Sequence, residues 1–164
     1  MFVVLDLDET LADCAHRAHF VEKGPKNWDA FFAPDLVFKD PVVKGAERVL
    51  AHFADLKYDL VVLTGRDEDL RDTTMRWLLE KLNISLPDGH LLMRQVGNML
   101  NAAEYKREQL MNFKNGLENK NNDFLIIDDD ADAGVALRDL GTVLKAPECW
   151  ALLFSVPVPV SDEE

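Results

Sequence analysis

Two aspartates near the amino terminus carry the clearest chemical signal in the sequence. The preceding residues, 2–5, form a continuous apolar run that predicts a strand buried on both faces. Asp6 and Asp8 follow that run directly, and in extended chain two residues this far apart point to the same side. Neighbouring carboxylates at the end of a buried strand repel each other unless a cation lies between them, and hard oxygen ligands suit Mg²⁺. A solvated acidic turn is the alternative interpretation.

A second apolar run, residues 60–63, ends in a different kind of site. Thr64, Gly65 and Arg66 follow it, and then come three acidic residues that start a predicted helix. Backbone N–H groups and the helix dipole point toward such a junction, so a hydroxyl and a glycine there predict an anion site. A purely structural Thr-Gly turn is equally compatible with this stretch.

A second group of acidic residues directly follows a later apolar run. Residues 124–127 are typical of a buried strand, and Asp128, Asp129 and Asp130 follow without a break. A bound cation would offset the repulsion between these side chains, whereas a solvated acidic loop would need none. The sequence leaves open which of the three ligates a metal.

Three cationic residues are candidates to meet an anion at the same place. Arg17 lies shortly after the first pair of acids and is either an anion-binding residue or an ordinary surface arginine. Arg94 ends the third apolar run, residues 90–93. Lys106 begins an apolar stripe on a predicted helix, where its ammonium either meets an anion at the sheet edge or extends into solvent.

Composition excludes several classes of protein. The chain has 164 residues, of which 48% are hydrophobic, which fits one soluble globular domain. Its formal net charge of −12 argues against tight, sequence-independent binding to nucleic acid, because no basic surplus displaces counterions. No apolar run approaches a membrane span, and two cysteines in no metal-binding spacing favour a reducing cytoplasm. We therefore expect a cytoplasmic protein that does not associate with membranes.

The predicted elements alternate along the chain. Strands are predicted at residues 2–5, 60–63, 90–93, 124–127 and 149–154, and helices at residues 42–56, 68–82, from about 101, and 135–140. This alternation predicts an α/β, Rossmann-like fold with a mostly parallel five-stranded sheet and helices on both faces. In such sheets ligands bind beyond the carboxyl ends of the strands, which is where the candidate residues fall.

Taken together, the motifs resemble those of haloacid dehalogenase (HAD) superfamily phosphatases. Residues 6–10, DLDET, resemble the first motif, residues 63–66 the second, Lys106 the third and residues 127–129 the fourth. The order is that of the superfamily, and the resemblance spans nearly the whole chain. Within this superfamily the chain is most similar to the phosphatase domain of phage-type polynucleotide kinase/3′-phosphatases and their stand-alone phage relatives. A phage relative would act in the cytoplasm of the host cell.

Two positions depart from that subfamily. Glu9 occupies a position where members of that subfamily usually have glycine. In this respect the DLDET stretch is closer to protein serine phosphatases that act on polymerase tails. Ala102, four residues before Lys106, stands where the 3′-phosphatase relatives tend to carry aspartate, which puts 3′-end specificity in doubt. No phosphate loop of the form G-x-x-x-x-G-K-[ST] is present, so a kinase half is not expected.

The resemblance implies a mechanism and a set of roles. Asp6 would attack phosphorus to form an aspartyl-phosphate, and Asp8 would act as general acid and then as general base. Mg²⁺ would be held by Asp6, the Asp8 backbone carbonyl, and Asp128 or Asp129. The residues implied in binding the phosphoryl group or the rest of the substrate are Thr64, Gly65, Lys106, Arg17, Arg66 and Arg94.

These expectations define one domain and three alternatives for its function. Residues 1–155 would form a single phosphatase domain with a small cap-like insert at 13–40, and residues 156–164 an extended acidic tail. The expected substrate is a small phosphomonoester such as a nucleotide, or the 3′-phosphate end of a nucleic acid. A protein serine/threonine phosphatase of the DLDET type and a non-catalytic module that binds Mg²⁺ or a partner remain the alternatives. The sequence does not indicate an oligomeric state.

Overall fold

The predicted parallel sheet is present. The computed structural model describes residues 1–22 and 24–150, and within them five parallel strands pair in the order β3-β2-β1-β4-β5. Because every pair is parallel, all five carboxyl ends lie at one edge of the sheet. The strands are β1 (Phe2–Leu5), β2 (Asp59–Asp67), β3 (Leu91–Arg94), β4 (Phe124–Asp128) and β5 (Thr142–Lys145).

Seven α-helices of the described ranges connect or precede these strands. Three short ones lie between β1 and β2, and four longer ones cover the sheet. They are α1 (His19–Glu22), α2 (Trp28–Phe31), α3 (Pro34–Val37), α4 (Ala46–Asp55), α5 (Arg71–Leu82), α6 (Ala102–Gly116) and α7 (Ala131–Leu137). None of the helices in the described part of the chain combines the length and the apolar composition that a membrane crossing requires.

The central strand β1 divides the apolar core into two halves. Val3 and Leu5 belong to the half that holds buried residues of α4 and α5, including Phe53 and Trp77. The other side of β1 faces a second cluster, which includes Leu110 of α6. Alternate residues of a strand point to opposite faces, so a strand that is apolar throughout must be covered on both. Helices therefore pack on both faces, as predicted.

The last predicted strand is wrong in its first two residues. Cys149 and Trp150 lie in a helical turn, and residues 151–154 are outside the described ranges. The fifth strand is instead Thr142–Lys145, which pairs with β4 and is only half-buried in its middle. An edge strand has one unpaired side and needs no continuous apolar run, so four mixed residues gave no strand signal. The predicted acidic tail also falls outside the described ranges.

Two predicted helix boundaries also differ. The helix predicted at 42–56 begins only at Ala46, because Val42 forms an antiparallel bridge with Ala12 and Gly45 has a left-handed φ of 98°. The helix predicted at 135–140 begins earlier, at Ala131, where the carboxylate of Asp130 accepts a hydrogen bond from the second helical residue. Sequence periodicity does not register such caps and bridges.

A narrow neck joins the segment containing α1–α3 to the sheet. The Asp13 N–H donates to the Pro41 carbonyl at 2.8 Å, and the Val43 N–H donates to the Leu11 carbonyl at 2.8 Å. Together with the Ala12 bridge, these bonds bring both ends of the segment to the carboxyl end of β1. The segment, residues 14–40, is therefore anchored where Asp6 and Asp8 emerge.

Replacing Gly141 with alanine is expected to destabilise the connection between α7 and β5. A Cβ there would lie 2.3 Å from the Phe124 carbonyl oxygen, so the backbone must shift. The expected cost is about 1–3 kcal/mol, the range for overpacking, measured by urea unfolding. Gly116→Ala is the control, because a Cβ there meets nothing within 4 Å. Equal midpoints for the two variants would contradict this close approach.

Candidate active site

Three carboxylates meet at the carboxyl ends of the two central strands. Asp6 follows β1, Asp128 ends β4 and Asp129 is the next residue. Each offers an oxygen, and these oxygens all lie within 4.8 Å of one another. The chain order reverses between β1 and β4, so this cluster occupies the switch point at which open α/β sheets bind ligands.

One ammonium group lies against the cluster. Nζ of Lys106 is 2.9 Å from Oδ1 of Asp6 and 2.7 Å from Oδ2 of Asp128. Lys106 lies in the second turn of α6 and is 4% exposed, which excludes the alternative that its side chain extends into solvent. Asp128 is further fixed by the Asp130 N–H, which donates to its Oδ1 at 3.0 Å.

The charges in this cluster do not balance. Burial raises the pKa of Asp6 well above its ordinary value, and repulsion from Asp128 and Asp129 adds to the rise, against the opposite effect of Lys106. Burial likewise raises the pKa of Asp129. For Lys106, burial alone would favour the neutral amine, but Asp6 and Asp128 outweigh it and raise its pKa. Three carboxylates around one ammonium thus retain an excess of negative charge.

The carboxylate of Asp8 points into a different set of partners. Oδ1 of Asp8 accepts from Nη2 of Arg17 at 2.5 Å and from Nη2 of Arg66 at 2.6 Å. Nε of Arg66 lies 3.1 Å from both oxygens. Burial would raise the pKa of Asp8, but the guanidinium groups of Arg66 and Arg17 outweigh burial and hold that pKa well below its ordinary range.

Both arginines are fully buried, and a second carboxylate pairs with them. Arg17 and Arg66 are each 0% exposed, which excludes the alternative that Arg17 is a surface residue. Asp40, also fully buried, accepts from Nε of Arg17 at 2.8 Å and from Nη2 of Arg66 at 3.0 Å. Their predicted contact with substrate stays a prediction. Nη1 of Arg66 is buried and has no hydrogen-bond partner among the described residues.

Thr64 and Gly65 lie inside a strand rather than at a helix end. β2 continues to Asp67, with an irregular register to β3 between Leu63 and Asp67. The strand therefore ends four residues later than predicted, because a strand irregularity leaves no mark in the apolar pattern. Oγ1 of Thr64 accepts from the Arg66 N–H at 3.2 Å. A Cβ at Gly65 would meet nothing within 4 Å, so space is open beside its backbone.

Arg94 is held by backbone carbonyl groups. Its guanidinium group donates to the Leu100 carbonyl at 2.7 Å and, at 3.4 Å, to the Gly65 carbonyl. The same group lies 4.5 Å from the centre of the Tyr105 ring. These contacts tie the loop after β3 to β2 and α6, and substrate binding by Arg94 stays a prediction.

Glu9 occupies a backbone position that favours glycine. Its φ is +63°, in the left-handed region where a Cβ costs energy. Its own side chain offsets part of that cost, because Oε1 accepts from the Cys14 N–H at 2.9 Å. Glu9 does not by itself point to a protein substrate.

The donor set of the three-carboxylate cluster fits a hard divalent cation. Its members offer oxygen atoms only, and three carboxylates face the single ammonium of Lys106. Burial raises the pKa values of Asp6 and Asp129, and repulsion from neighbouring acids adds to the rise. Mg²⁺ and Ca²⁺ prefer such ligands. A second group of Asp8, Cys14 and Asp40 is already neutralised by the two arginines and fits a cation poorly.

Sequence reasoning missed two residues that complete these clusters. Asp40 pairs with Arg17 and Arg66 from the far end of residues 14–40, and Oγ1 of Thr10 lies 3.3 Å from Oδ1 of Asp129. Thr10 belongs to the DLDET stretch, so its proximity to the acids was a usable signal. Asp40 carries no local signal, because its partners are 23 and 26 residues away.

Cavity size alone would not locate this site. A cavity of about 680 Å³ is lined by Met1, Asp123 and Thr142, at the amino ends of the strands and thus at the opposite edge of the sheet. At the carboxyl edge, Asp128 and Asp130 line a smaller cavity of about 250 Å³. Chemistry rather than volume identifies the candidate site.

Comparison with known proteins identifies the fold. No family model matches the sequence, and no curated protein matches it significantly. Among solved structures, a chain of the Pnkp1/Rnl/Hen1 RNA repair complex superposes with a TM-score of 0.64 at 21% identity, over 88% of this chain and 41% of that one. The present chain thus spans about two fifths of the length of that relative.

Two further structures are covered over most of their own length. The class C acid phosphatase from Bacillus anthracis superposes with a TM-score of 0.58 at 18% identity, over 95% of this chain and 72% of that one. The HAD domain of the effector protein Lem4 from Legionella pneumophila superposes with a TM-score of 0.55 at 19% identity, over 93% and 91%. The sheet order, the crossovers and these superpositions agree, and the chain therefore has the fold of the HAD phosphatases.

Proposed function

We propose that this chain is a Mg²⁺-dependent phosphomonoesterase that works through an aspartyl-phosphate on Asp6. The observation that carries the proposal is the convergence of Asp6, Asp128, Asp129 and Lys106 at one point of the carboxyl edge. A nucleophilic carboxylate needs cations nearby, because it must approach a phosphate of the same charge. The matches to the B. anthracis phosphatase and the Lem4 HAD domain support this assignment at the level of fold.

The first step transfers the phosphoryl group to Asp6. A carboxylate oxygen of Asp6 attacks phosphorus, an oxygen–phosphorus bond forms, and the bond to the ester oxygen breaks. The leaving alkoxide takes a proton from the Asp8 carboxyl group and departs as an alcohol. The donors proposed for the phosphoryl oxygens are the ammonium of Lys106 and the hydroxyl of Thr64, with Nη1 of Arg66 as a further candidate because it has no hydrogen-bond partner among the described residues.

The second step regenerates the enzyme. The Asp8 carboxylate accepts a proton from a water molecule as the water oxygen attacks phosphorus, and the bond from phosphorus to Asp6 breaks. Inorganic phosphate is released, and Asp8 again holds the proton that it gave to the alcohol. Arg17 and Arg66 keep Asp8 in the carboxylate form from which this step starts, and the same stabilisation makes that carboxylate a weaker base.

The first half of the cycle requires Asp8 to be protonated. In the free enzyme the two arginines oppose that state, as the lowered pKa of Asp8 shows. The approach of a negatively charged phosphate to Asp6 acts in the other direction, because nearby negative charge raises the proton affinity of a carboxylate. Substrate binding thus favours protonated Asp8, whereas the two arginines favour the Asp8 carboxylate.

A bound Mg²⁺ would be held by the carboxylates of Asp6 and of Asp128 or Asp129, together with the Asp8 backbone carbonyl. When present it supplies positive charge beside the phosphoryl oxygens. Asp129 is the freer of the two later ligands, because both oxygens of Asp128 already accept hydrogen bonds from protein donors.

The proposed substrate is a nucleotide or the 3′-phosphate end of a nucleic acid. The segment containing α1–α3 comprises three four-residue helices, too little chain for a large cap domain that would restrict the shape of the substrate. The net charge of −12 favours a small substrate over a long polymer. The fold shared with a chain of an RNA repair complex supports the nucleic-acid end as substrate. In this proposal the insert at residues 13–40 is the small cap of a single domain.

A substrate panel tests this assignment. Phosphate release is measured from 3′-phosphorylated oligonucleotides, 3′- and 5′-mononucleotides, a phosphoserine peptide and an aryl phosphate. We expect the nucleotide substrates to give the highest kcat/KM, with turnover dependent on Mg²⁺ and abolished by EDTA. Preference for the peptide would favour the DLDET-type protein phosphatase, and no turnover of any substrate would favour the non-catalytic module.

Mg²⁺ is expected to raise the melting temperature of the protein, and Asp129→Asn to reduce that rise. Binding to the folded state alone adds stability that grows with the logarithm of ligand concentration. For a domain of this size each kcal/mol corresponds to roughly 2–4 °C. Asp123→Asn is the matched control, because Asp123 is an exposed acid at the opposite end of β4. Equal Mg²⁺ shifts in the wild type and Asp129→Asn would contradict the assignment of Asp129 as a ligand.

A further inference from the structure

Asp40 is a fully buried carboxylate whose position is fixed from two sides. It follows α3 at the neck of the 14–40 segment, and its backbone carbonyl accepts from Nε1 of Trp77 at 2.9 Å. Trp77 lies in α5 and is itself 0% exposed. The segment is therefore fastened to the core at the residue that faces the arginines.

The side chain of Asp40 completes a closed set of four charges. Oδ2 accepts from Nη2 of Arg17 at 2.7 Å and from Nη2 of Arg66 at 3.0 Å, and Oδ1 accepts from Nε of Arg17 at 2.8 Å. The same two Nη2 atoms donate to Oδ1 of Asp8. Each guanidinium group thus bridges Asp8 and Asp40, and the two positive charges are balanced by two negative ones.

Removing the Asp40 carboxylate would leave an uncompensated positive charge beside Asp8. Two buried guanidinium groups would face one carboxylate, and groups that lose a buried partner move or take up water because the uncompensated charge is costly. Such a movement changes the direction of the Asp8 carboxylate. Proton transfer depends steeply on that direction, since the acid must lie within hydrogen-bond reach of the ester oxygen.

We propose that Asp40 is a positioning residue that orients Asp8 through Arg17 and Arg66. It does not touch the substrate; it fixes where both guanidinium groups lie, and they fix the Asp8 carboxylate. His16 adds a contact from the rim, with Nε2 2.8 Å from Oδ1 of Asp40. This role rests on the proposed function, in which Asp8 donates and accepts the proton of the reaction.

Leaving groups of different basicity separate this role from general support of the fold. An alkyl phosphate, such as a 3′-mononucleotide, needs a proton on its departing oxygen, whereas 2,4-dinitrophenyl phosphate releases a stable phenolate without one. With Asp40→Asn we expect kcat for the alkyl ester to fall about 100-fold, within the range for general acid catalysis, at little change in KM. The first-turnover burst of dinitrophenolate should stay within about threefold of the wild type, since that step needs no acid.

Asp35→Asn is the matched control, because Asp35 is an exposed acid in α3 of the same segment. It should leave both rates unchanged. Equal losses on the two substrates in Asp40→Asn, or no loss on either, would overturn the proposal. Asp40→Glu provides a second variant if Asp40→Asn does not fold. It keeps the charge but displaces the guanidinium groups, and the same selective loss is expected.

Failure of the positioning role of Asp40 can be distinguished from failure of the proposed function. If Asp6→Asn retained turnover, the aspartyl-phosphate mechanism would fall whatever Asp40 does. If Asp6→Asn is inactive while Asp40→Asn loses both substrates equally, the mechanism stands and the positioning role is wrong. In an Asp8→Asn background, Asp40→Asn should cause no further loss on the alkyl ester, because it acts through Asp8.

Discussion

Asp6→Asn is expected to abolish phosphate release, by at least about 10³-fold, while leaving the fold intact. The amide is a poor nucleophile, so no phosphorylated intermediate forms on it. The side chain keeps its size, and the buried cluster loses one of its mutually repelling charges. The melting temperature of Asp6→Asn in EDTA should therefore stay close to that of the wild type, although its activity is lost. Turnover is measured as phosphate release with Mg²⁺, and the fold by circular dichroism.

A matched substitution shows whether the loss is specific to the site. Asp88→Asn makes the same chemical change at an exposed loop before β3, at the edge of the sheet away from the acids. It should retain wild-type turnover. Trapping of a phosphorylated protein in the wild type, but not in Asp6→Asn, identifies the nucleophile directly. Wild-type turnover in Asp6→Asn would refute its role and, with it, the proposed mechanism.

The convergence of the acids was accessible from sequence because it depends on simple geometry. Asp6 and Asp128 each end an uninterrupted apolar run, and the carboxyl ends of parallel strands share one edge. The same geometry made Lys106 a candidate, because it lies in α6, the helix that precedes β4. A parallel sheet was enough to predict that Asp6 and Asp128 lie close together. For Lys106 the sequence pattern left open whether the ammonium meets an anion or extends into solvent, and its role came from the resemblance.

The arginine cluster was not accessible in the same way. Arg17 has the same local pattern whether it is buried or at the surface, because its partner Asp40 lies 23 residues away. The segment between them folds by short helices whose packing no period in the sequence encodes. Sequence therefore identified Arg17 and Arg66 as candidates for an anion. The structure places both between two carboxylates and leaves one nitrogen of Arg66 without a described partner.

Backbone conformation was the other source of error. Glu9 adopts a left-handed φ that its residue type does not announce, and the irregular register of β2 shifts Thr64 and Gly65 into a strand. The strand Thr142–Lys145 carries few apolar residues because it lies at the sheet edge. For the two strands, pairing with neighbouring strands decides the local structure, and for Glu9 a turn closed by Cys14 does, so propensity and periodicity were insufficient.

Lys106→Met should lower both turnover and stability by large amounts. Methionine fills similar space but leaves Asp6 and Asp128 without their buried ammonium partner. Breaking a buried ion pair by removing one member costs roughly 3–5 kcal/mol. Loss of a donor to the transferring phosphoryl group costs about 10²–10³-fold in kcat. Thermal unfolding in EDTA and steady-state phosphate release measure the two effects separately.

The control for this variant is the next residue in the chain. Arg107→Met also removes one positive charge from α6, but Arg107 pairs with Asp139 on the surface, where ion pairs contribute little. Added Mg²⁺ should recover more stability in Lys106→Met than in the wild type, because the ion neutralises the same carboxylates that the ammonium did. It should not recover turnover, because an ion bound among the acids does not replace the Lys106 donor. Equal unfolding temperatures for the two variants in EDTA would show that the ammonium does not hold the cluster together, and the charge imbalance inferred for Asp6 would then be wrong.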